Sequence, residues 1–236
     1  MIALLVKFIG ACRRQPATRA RPYVYFDRRG SRFRAIFLAG AMIVCFAAAA
    51  GDCRAADASA SPEQLITGFA KAPNIHAAFY DLNQAAANDT AALRKAALAH
   101  LADKDDPDTH YAALYALVMT ADADNGAAEL AGMLTSANVD ERLLSAGALA
   151  GLGDKRALPV LIAALDQQDE LSYRAPPQRA YDFAQRQLLW FTNQDFGLKV
   201  AQTPEGIAAT KPAWEQWWRS AGVSLHYDRR ERKFVE

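Results

Sequence analysis

From Asn74 onward, apolar residues recur at steps of three and four, the spacing that places them on one face of a helix. The pattern also returns at longer range. Three windows of 32 residues, 74–105, 106–137 and 138–169, align with one another. They open on Asn74, Asp106 and Asn138, whose side-chain oxygens suit the free N–H groups of a helix start. Phe79, Tyr111 and Leu143 share one register position, and Leu82, Leu114 and Ala146 share the position three residues on. In the second half of each window Leu98, Leu130 and Ile162 align, as do Leu101, Met133 and Leu165. Each window therefore predicts helix, short turn, helix, with those last six residues buried.

The residues between these positions agree. Pro107 follows Asp106 at a first-turn position where its missing N–H costs nothing. Gly151-Leu152-Gly153-Asp154 is rich in residues that end helices. Alanine fills many other positions, favouring helix and letting helices approach closely. One hairpin cannot bury its own apolar face, but stacked hairpins cover one another. The predicted fold is all-α: a short α-solenoid over residues 59–222. After the third window the period breaks at an insert, Gln167–Gln178, whose Arg174, Pro176 and Pro177 predict a loop. Helices are expected at Tyr181–Phe191 and Lys211–Ala221, making 170–222 a modified repeat that caps the stack. The tail, 223–236, alternates Val223, Leu225 and Tyr227, with Phe234 beyond a charged turn, and predicts a small β-hairpin.

The third window carries a specific likeness. Its run from Val139-Asp140-Glu141-Arg142 through Gly151-Leu152-Gly153-Asp154-Lys155-Arg156-Ala157 to Pro159 and Leu165 resembles the short bacterial HEAT-like repeat. That repeat has an acidic start, an Arg soon after, an Ala/Leu helix, a Gly-Asp turn with a basic residue and Ala, then Pro and a second apolar helix. Phe191-Thr192-Asn193-Gln194-Asp195-Phe196-Gly197, with Trp214, Trp217 and Trp218, looks like the terminal unit of such proteins. The resemblance implies a protein-binding scaffold. Some HEAT-like proteins are similar to bilin-attachment lyases, so it also implies, as an alternative, a small-ligand or lyase-like role near Tyr173–Arg179. Ankyrin and tetratricopeptide patterns fit worse: Thr109-His110 lacks the intervening Pro-Leu of the first, and the Trp/Tyr signature of the second is absent.

Charge divides the chain. The formal net charge is +1, but residues 1–58 hold ten Lys/Arg and three Asp, giving +7. The remainder holds 17 basic and 23 acidic residues, giving −6, which argues against nucleic acid as a partner. Arg28, Arg29, Arg32 and Arg34 precede the 17 uncharged residues Ala35–Gly51, and small residues follow: the zones of an export signal. Cleavage is expected after Ala55 or Ala58, with a retained membrane anchor as the alternative. Asp52 before Cys53 argues against a lipoprotein, and the spacing from Arg28-Arg29 to Phe37-Leu38 against twin-arginine export. The expected location is periplasmic or secreted. Cys12, Cys45 and Cys53 all lie in this leader, so the mature body would hold no cysteine and no disulfide.

Candidate chemistry is sparse. Trp214, Trp217 and Trp218 share one helix face, and Trp190 ends the preceding helix. They read as an apolar plug at the end of the stack or, alternatively, as a platform for cell-wall glycan. With Tyr173 and Arg174 they are the candidate partner-binding or capping residues. His76, His100, His110 and His226 lack zinc-pair spacing, and Asp103–Asp108 lacks the Gly and Glu of a calcium loop. No Walker loop, serine-nucleophile motif or dinucleotide fingerprint occurs. The expectation is a chain without cofactor, metal or catalysis whose partner is another protein or peptide, touching membrane only through an uncleaved leader.

Overall fold

A computed structural model describes residues 60–72, 74–172, 177–201 and 203–236. The export leader, with its h-region, lies outside the described residues, as do Tyr173 and Arg174. The described chain begins with α1 (Pro62–Thr67), set by a capping box in which Ser61 and Gln64 each bond the other's backbone. A 3₁₀ turn, Phe69–Lys71, leads to α2 (Ile75–Asn88). Then come α3 (Thr90–His100), α4 (Pro107–Thr120), α5 (Ala127–Met133), α6 (Val139–Leu152) and α7 (Ala157–Ala163), which runs on into a 3₁₀ turn at Ala164–Asp166. Helices α8 (Ala180–Phe191) and α9 (Pro204–Ala221) complete the helical part. The molecule is mostly helical, with two small antiparallel ribbons: β1 (Glu170–Leu171) with β2 (Gln178–Arg179), and β3 (His226–Asp228) with β4 (Lys233–Val235).

Three helix starts follow directly from three side chains. Asn74 accepts from the N–H of Ala77, Asp106 from those of Asp108 and Thr109, and Asn138 from those of Asp140 and Glu141. Helices α2, α4 and α6 each have 14 residues and begin at 75, 107 and 139, a spacing of 32. Helix α4 packs against both α2 and α6, and α6 against α8. Neighbours meet at that same separation: the Phe79 and Tyr111 rings lie 6.3 Å apart, and Asn83 Nδ2 donates to Tyr115 Oη at 3.2 Å. The Ser172 N–H donates to Asp140 Oδ1 at 3.0 Å, again 32 residues away. Leu82, Leu114, Leu143 and Ala146 are all buried, as the pattern predicts.

The second helices obey the period less well. Leu130, Ile162 and Leu165 are buried, but Leu101 and Met133 are half-buried and Leu98 is 39% exposed. Only Asp89 separates α2 from α3, so α3 starts early in its window. Its inward face is then Leu93, Ala96 and Ala97. Leu93 and Leu130 are each the fourth residue of their helix, and both are fully buried. The structural equivalence is 37 residues here, not 32.

Two further expectations change. The insert forms a short ribbon, with Glu170 paired to Arg179 and Leu171 to Gln178. The last helix begins at Pro204 instead of Lys211, because Thr203 accepts from the Gly206 N–H and Pro204 occupies the first turn. Pro212 is thereby carried inside the helix. The C-terminal hairpin forms, with Tyr227 opposite Phe234, and Leu225 and Phe234 are buried while Val223 is exposed. Its seat is the α6–α7 turn. Gly153 has φ 89°, and a Cβ there would lie 2.7 Å from the Tyr227 ring, so glycine serves both the helix end and the hairpin's approach.

Candidate functional site

The starts of α4 and α6 leave a cleft of about 470 Å³ between them. Lys104, Pro107, His110, Tyr111 and Leu114 line one side, from the turn before α4 and its first turns. Ser136, Ala137, Asn138, Asp140 and Glu141 line the other, from the turn before α6 and its first turn, with Ser172 beside them. Tyr111 and Leu114 form an apolar floor, and Lys104, Ala137 and Asn138 lie at the exposed rim. The site repeats in register, since Lys104 and Ser136 hold equivalent places in successive windows.

Four polar residues on the inward side of these two helices are buried: Thr109, His110, Asp140 and Glu141. Buried polar groups need partners. His110 Nε2 lies 2.8 Å from Glu141 Oε1, with side chains only 9% and 7% exposed. His110 Nδ1 donates to the Leu101 carbonyl at 2.9 Å. Ser136 Oγ donates to Glu141 Oε2. Lys104 Nζ stands 3.6 Å from Glu141 Oε1, with its own side chain 72% exposed. Burial pushes the Glu141 carboxyl up, but the Ser136 hydroxyl, then the Lys104 and His110 charges, pull it down further. The net result lies below the usual carboxylate range, so Glu141 is ionised at neutral pH.

His110 and Arg142 sit 32 residues apart and do the same work. Each reaches back to the turn before its own helix: His110 to Leu101 O, Arg142 to Ser136 O at 2.6 Å and Ala137 O at 3.2 Å. The turn walls of the cleft are thus pinned by cationic or imidazole side chains from the helix that follows. The acidic run at Asp103–Asp108 is a loop that caps a helix. Asp106 is held below its ordinary range by the Thr109 hydroxyl and backbone N–H.

Chemically, this arrangement is built to hold charge. Ser136 gives its proton to a carboxylate and not to the imidazole, so serine and histidine do not form a nucleophile–base pair. Among the described residues no three His, Cys, Asp or Glu side chains are grouped to hold a metal. Among them, too, no helix is long and apolar enough to cross a membrane.

The tryptophans lie elsewhere. Trp214 is fully buried and Trp217 is 7% exposed, their rings 5.5 Å apart and nearly perpendicular. Phe196 stacks edge-on against Trp214 at 5.0 Å. Trp218 is half-buried and Trp190 is 37% exposed. A glycan platform needs its rings in solvent, so Trp214 and Trp217 do not supply one; they seal the helical end. The sequence pattern did not single out His110, Ser136, Asp140 and Glu141. The available signal was polar residues on the inward stripe of helices whose caps were already assigned. No family model, curated protein or solved structure matches this chain.

Proposed function

We propose that this chain is an exported, HEAT-like scaffold that binds a segment of another protein along its line of helix starts. One observation carries the reading: the cleft is lined by residues from the same register positions of consecutive 32-residue windows. A surface made by repetition is elongated and suits an extended chain. The contacts at a separation of 32 support a stack of helical hairpins, and the basic leader with its uncharged run supports export. The Ser136–Glu141–His110 network holds the walls rigid, which lowers the cost of ordering on binding.

The test is site-specific photo-crosslinking in the cell envelope. A photoreactive residue replacing Ala137, at the exposed rim of the cleft, should give a discrete adduct. The same residue replacing exposed Ala123, in the turn at the far end of α4, should not. Adducts at both positions, or at neither, would defeat the proposal. Export is tested separately: the envelope protein should begin at Ala56 or Ser59, and a chain that starts at Met1 in the cytoplasm contradicts it.

A further inference from the structure

The chemistry of the cleft selects among peptides. Its floor is apolar, from Tyr111 and Leu114, while two carboxylates, Asp140 and Glu141, stand in its wall. Asp103 and Asp105 are exposed on either side of Lys104 at the rim. Against these four carboxylates stand one exposed ammonium and the imidazole of His110, which Glu141 already engages. An apolar trough ending in carboxylates matches a side chain with an aliphatic stem and a cationic head. We propose that the cleft binds a basic peptide, with a lysine or arginine side chain lying over Tyr111 and Leu114 and its head at Asp140 and Glu141. This rests on the reading of the cleft as a protein-binding groove.

Lys104 sharpens the inference. Its ammonium sits 3.6 Å from Glu141 Oε1 on a side chain that is otherwise in solvent. Such an exposed contact is weak and readily given up. Lys104 is therefore an internal stand-in for the incoming cation. The ligand's head displaces it and takes the carboxylate at shorter range. Asp140 has one oxygen committed to the Ser172 N–H, leaving the other for the same head.

The experiment uses the full chain and a fluorescein-labelled peptide of alternating alanine and lysine, with the alanine–glutamate peptide as comparison, followed by anisotropy. The lysine peptide should bind and the glutamate peptide should not. Lys104→Ala should tighten binding by roughly three- to fivefold, the scale of one exposed ion pair. Lys95→Ala makes the same change in net charge on exposed α3 and should leave affinity unchanged. Glu141→Gln should weaken binding at least about tenfold, as loss of a buried charge partner does. Because Glu141→Gln also disturbs the folded network, Ala137→Trp is the second variant: it fills the cleft from an exposed position, keeps every charge, and should abolish binding. Equal affinity across all four variants, or equal tightening by Lys95→Ala and Lys104→Ala, would mean diffuse attraction to an acidic surface and overturn the proposal. If Ala137 crosslinks a partner but the lysine peptide does not bind, the basic ligand is wrong and the groove stands. If the Ala137 crosslink also fails, the groove itself is wrong.

Discussion

The cleft between α4 and α6 and the C-terminal end formed by α7, α9 and the hairpin use polar groups in opposite ways. At the C-terminal end, polar side chains are spent on the chain's own backbone. Lys155 Nζ donates to the carbonyls of Val223 and Leu225, Tyr227 Oη to that of Gly151, and Lys233 Nζ to Asn193 and to the Thr192 carbonyl. Trp217 Nε1 donates to Glu236. Packed rings fill the space between. At the cleft, side chains bond other side chains, two carboxylates are buried, and open volume remains beside them. A closed end of this kind adds stability and leaves no donor or acceptor for a partner. A charged, pre-ordered cleft gives up stability to keep such groups, since burying charge is costly even when paired. The difference assigns sealing to one region and recognition to the other.

The strongest way to break this division is at Trp214. Truncation to Ala should destabilise the protein by ~3–5 kcal/mol, the usual range for a buried aromatic. Trp214→Phe should cost less, because the indole N–H makes no hydrogen bond among the described residues. Urea unfolding measures both. If Trp214→Ala also weakened peptide binding after correction for unfolded protein, the two regions would not be separable.

Glu141 comes next. Its loss as Glu141→Ala should cost about 3 kcal/mol at neutral pH, as when one partner of a buried pair is removed. Acid adds a sign. The folded carboxyl lies below its ordinary value, so its stabilisation is present above the unfolded pKa of about 4.3 and disappears as pH falls through the lower folded value. The native chain should therefore lose more stability between about pH 5 and pH 3 than Glu141→Gln does. Equal acid sensitivity would show that Glu141 is not the ionised centre of the cleft.

Much of this fold was legible because caps are local. Asn74, Asp106 and Asn138 each act within three residues, so reading them needs no knowledge of tertiary structure. Leu98 failed for a reason that is also local but silent: the α2–α3 junction is the single residue Asp89, with no Gly or Pro to mark it, and it advances the next helix. The start of the last helix was missed because Pro212 resembles a first-turn proline, while Thr203-Pro204 is the pair that caps. The cleft was the least legible feature. His110 and Glu141 are 31 residues apart, and only the packing of α4 on α6 brings them together. A charged residue in the first turn of a helix reads as solvated unless its neighbour's position is known.

Gly153 tests the seat of the hairpin. Gly153→Ala places a Cβ at positive φ and 2.7 Å from the Tyr227 ring, and should cost roughly 2 kcal/mol. In a Tyr227→Ala background, which clears the space, the penalty should fall to roughly 1 kcal/mol, the backbone part alone. A double-mutant cycle by thermal unfolding measures the coupling; additive costs would mean the hairpin does not rest on this turn.

The smallest effect is the most discriminating. Asn138 and Thr203 are both helix caps: Asn138 accepts from the Asp140 and Glu141 N–H groups at 2.8 and 3.2 Å, and Thr203 Oγ1 from Gly206 N–H at 3.1 Å. Either one replaced by Ala should lower stability by about 1 kcal/mol, the ordinary worth of a cap. Their consequences for binding should differ. The two residues whose N–H groups Asn138 holds are the two carboxylates proposed to receive the ligand, and Ser136 Oγ accepts from Asn138's own N–H at 3.1 Å while donating to Glu141. Releasing that cap frays the first turn of α6 and loosens the cleft wall. Asn138→Ala should weaken the lysine peptide several-fold, whereas Thr203→Ala should leave affinity unchanged at matched stability. Calorimetric unfolding and peptide anisotropy on the same two variants decide it, and equal effects on binding would place recognition somewhere other than the start of α6.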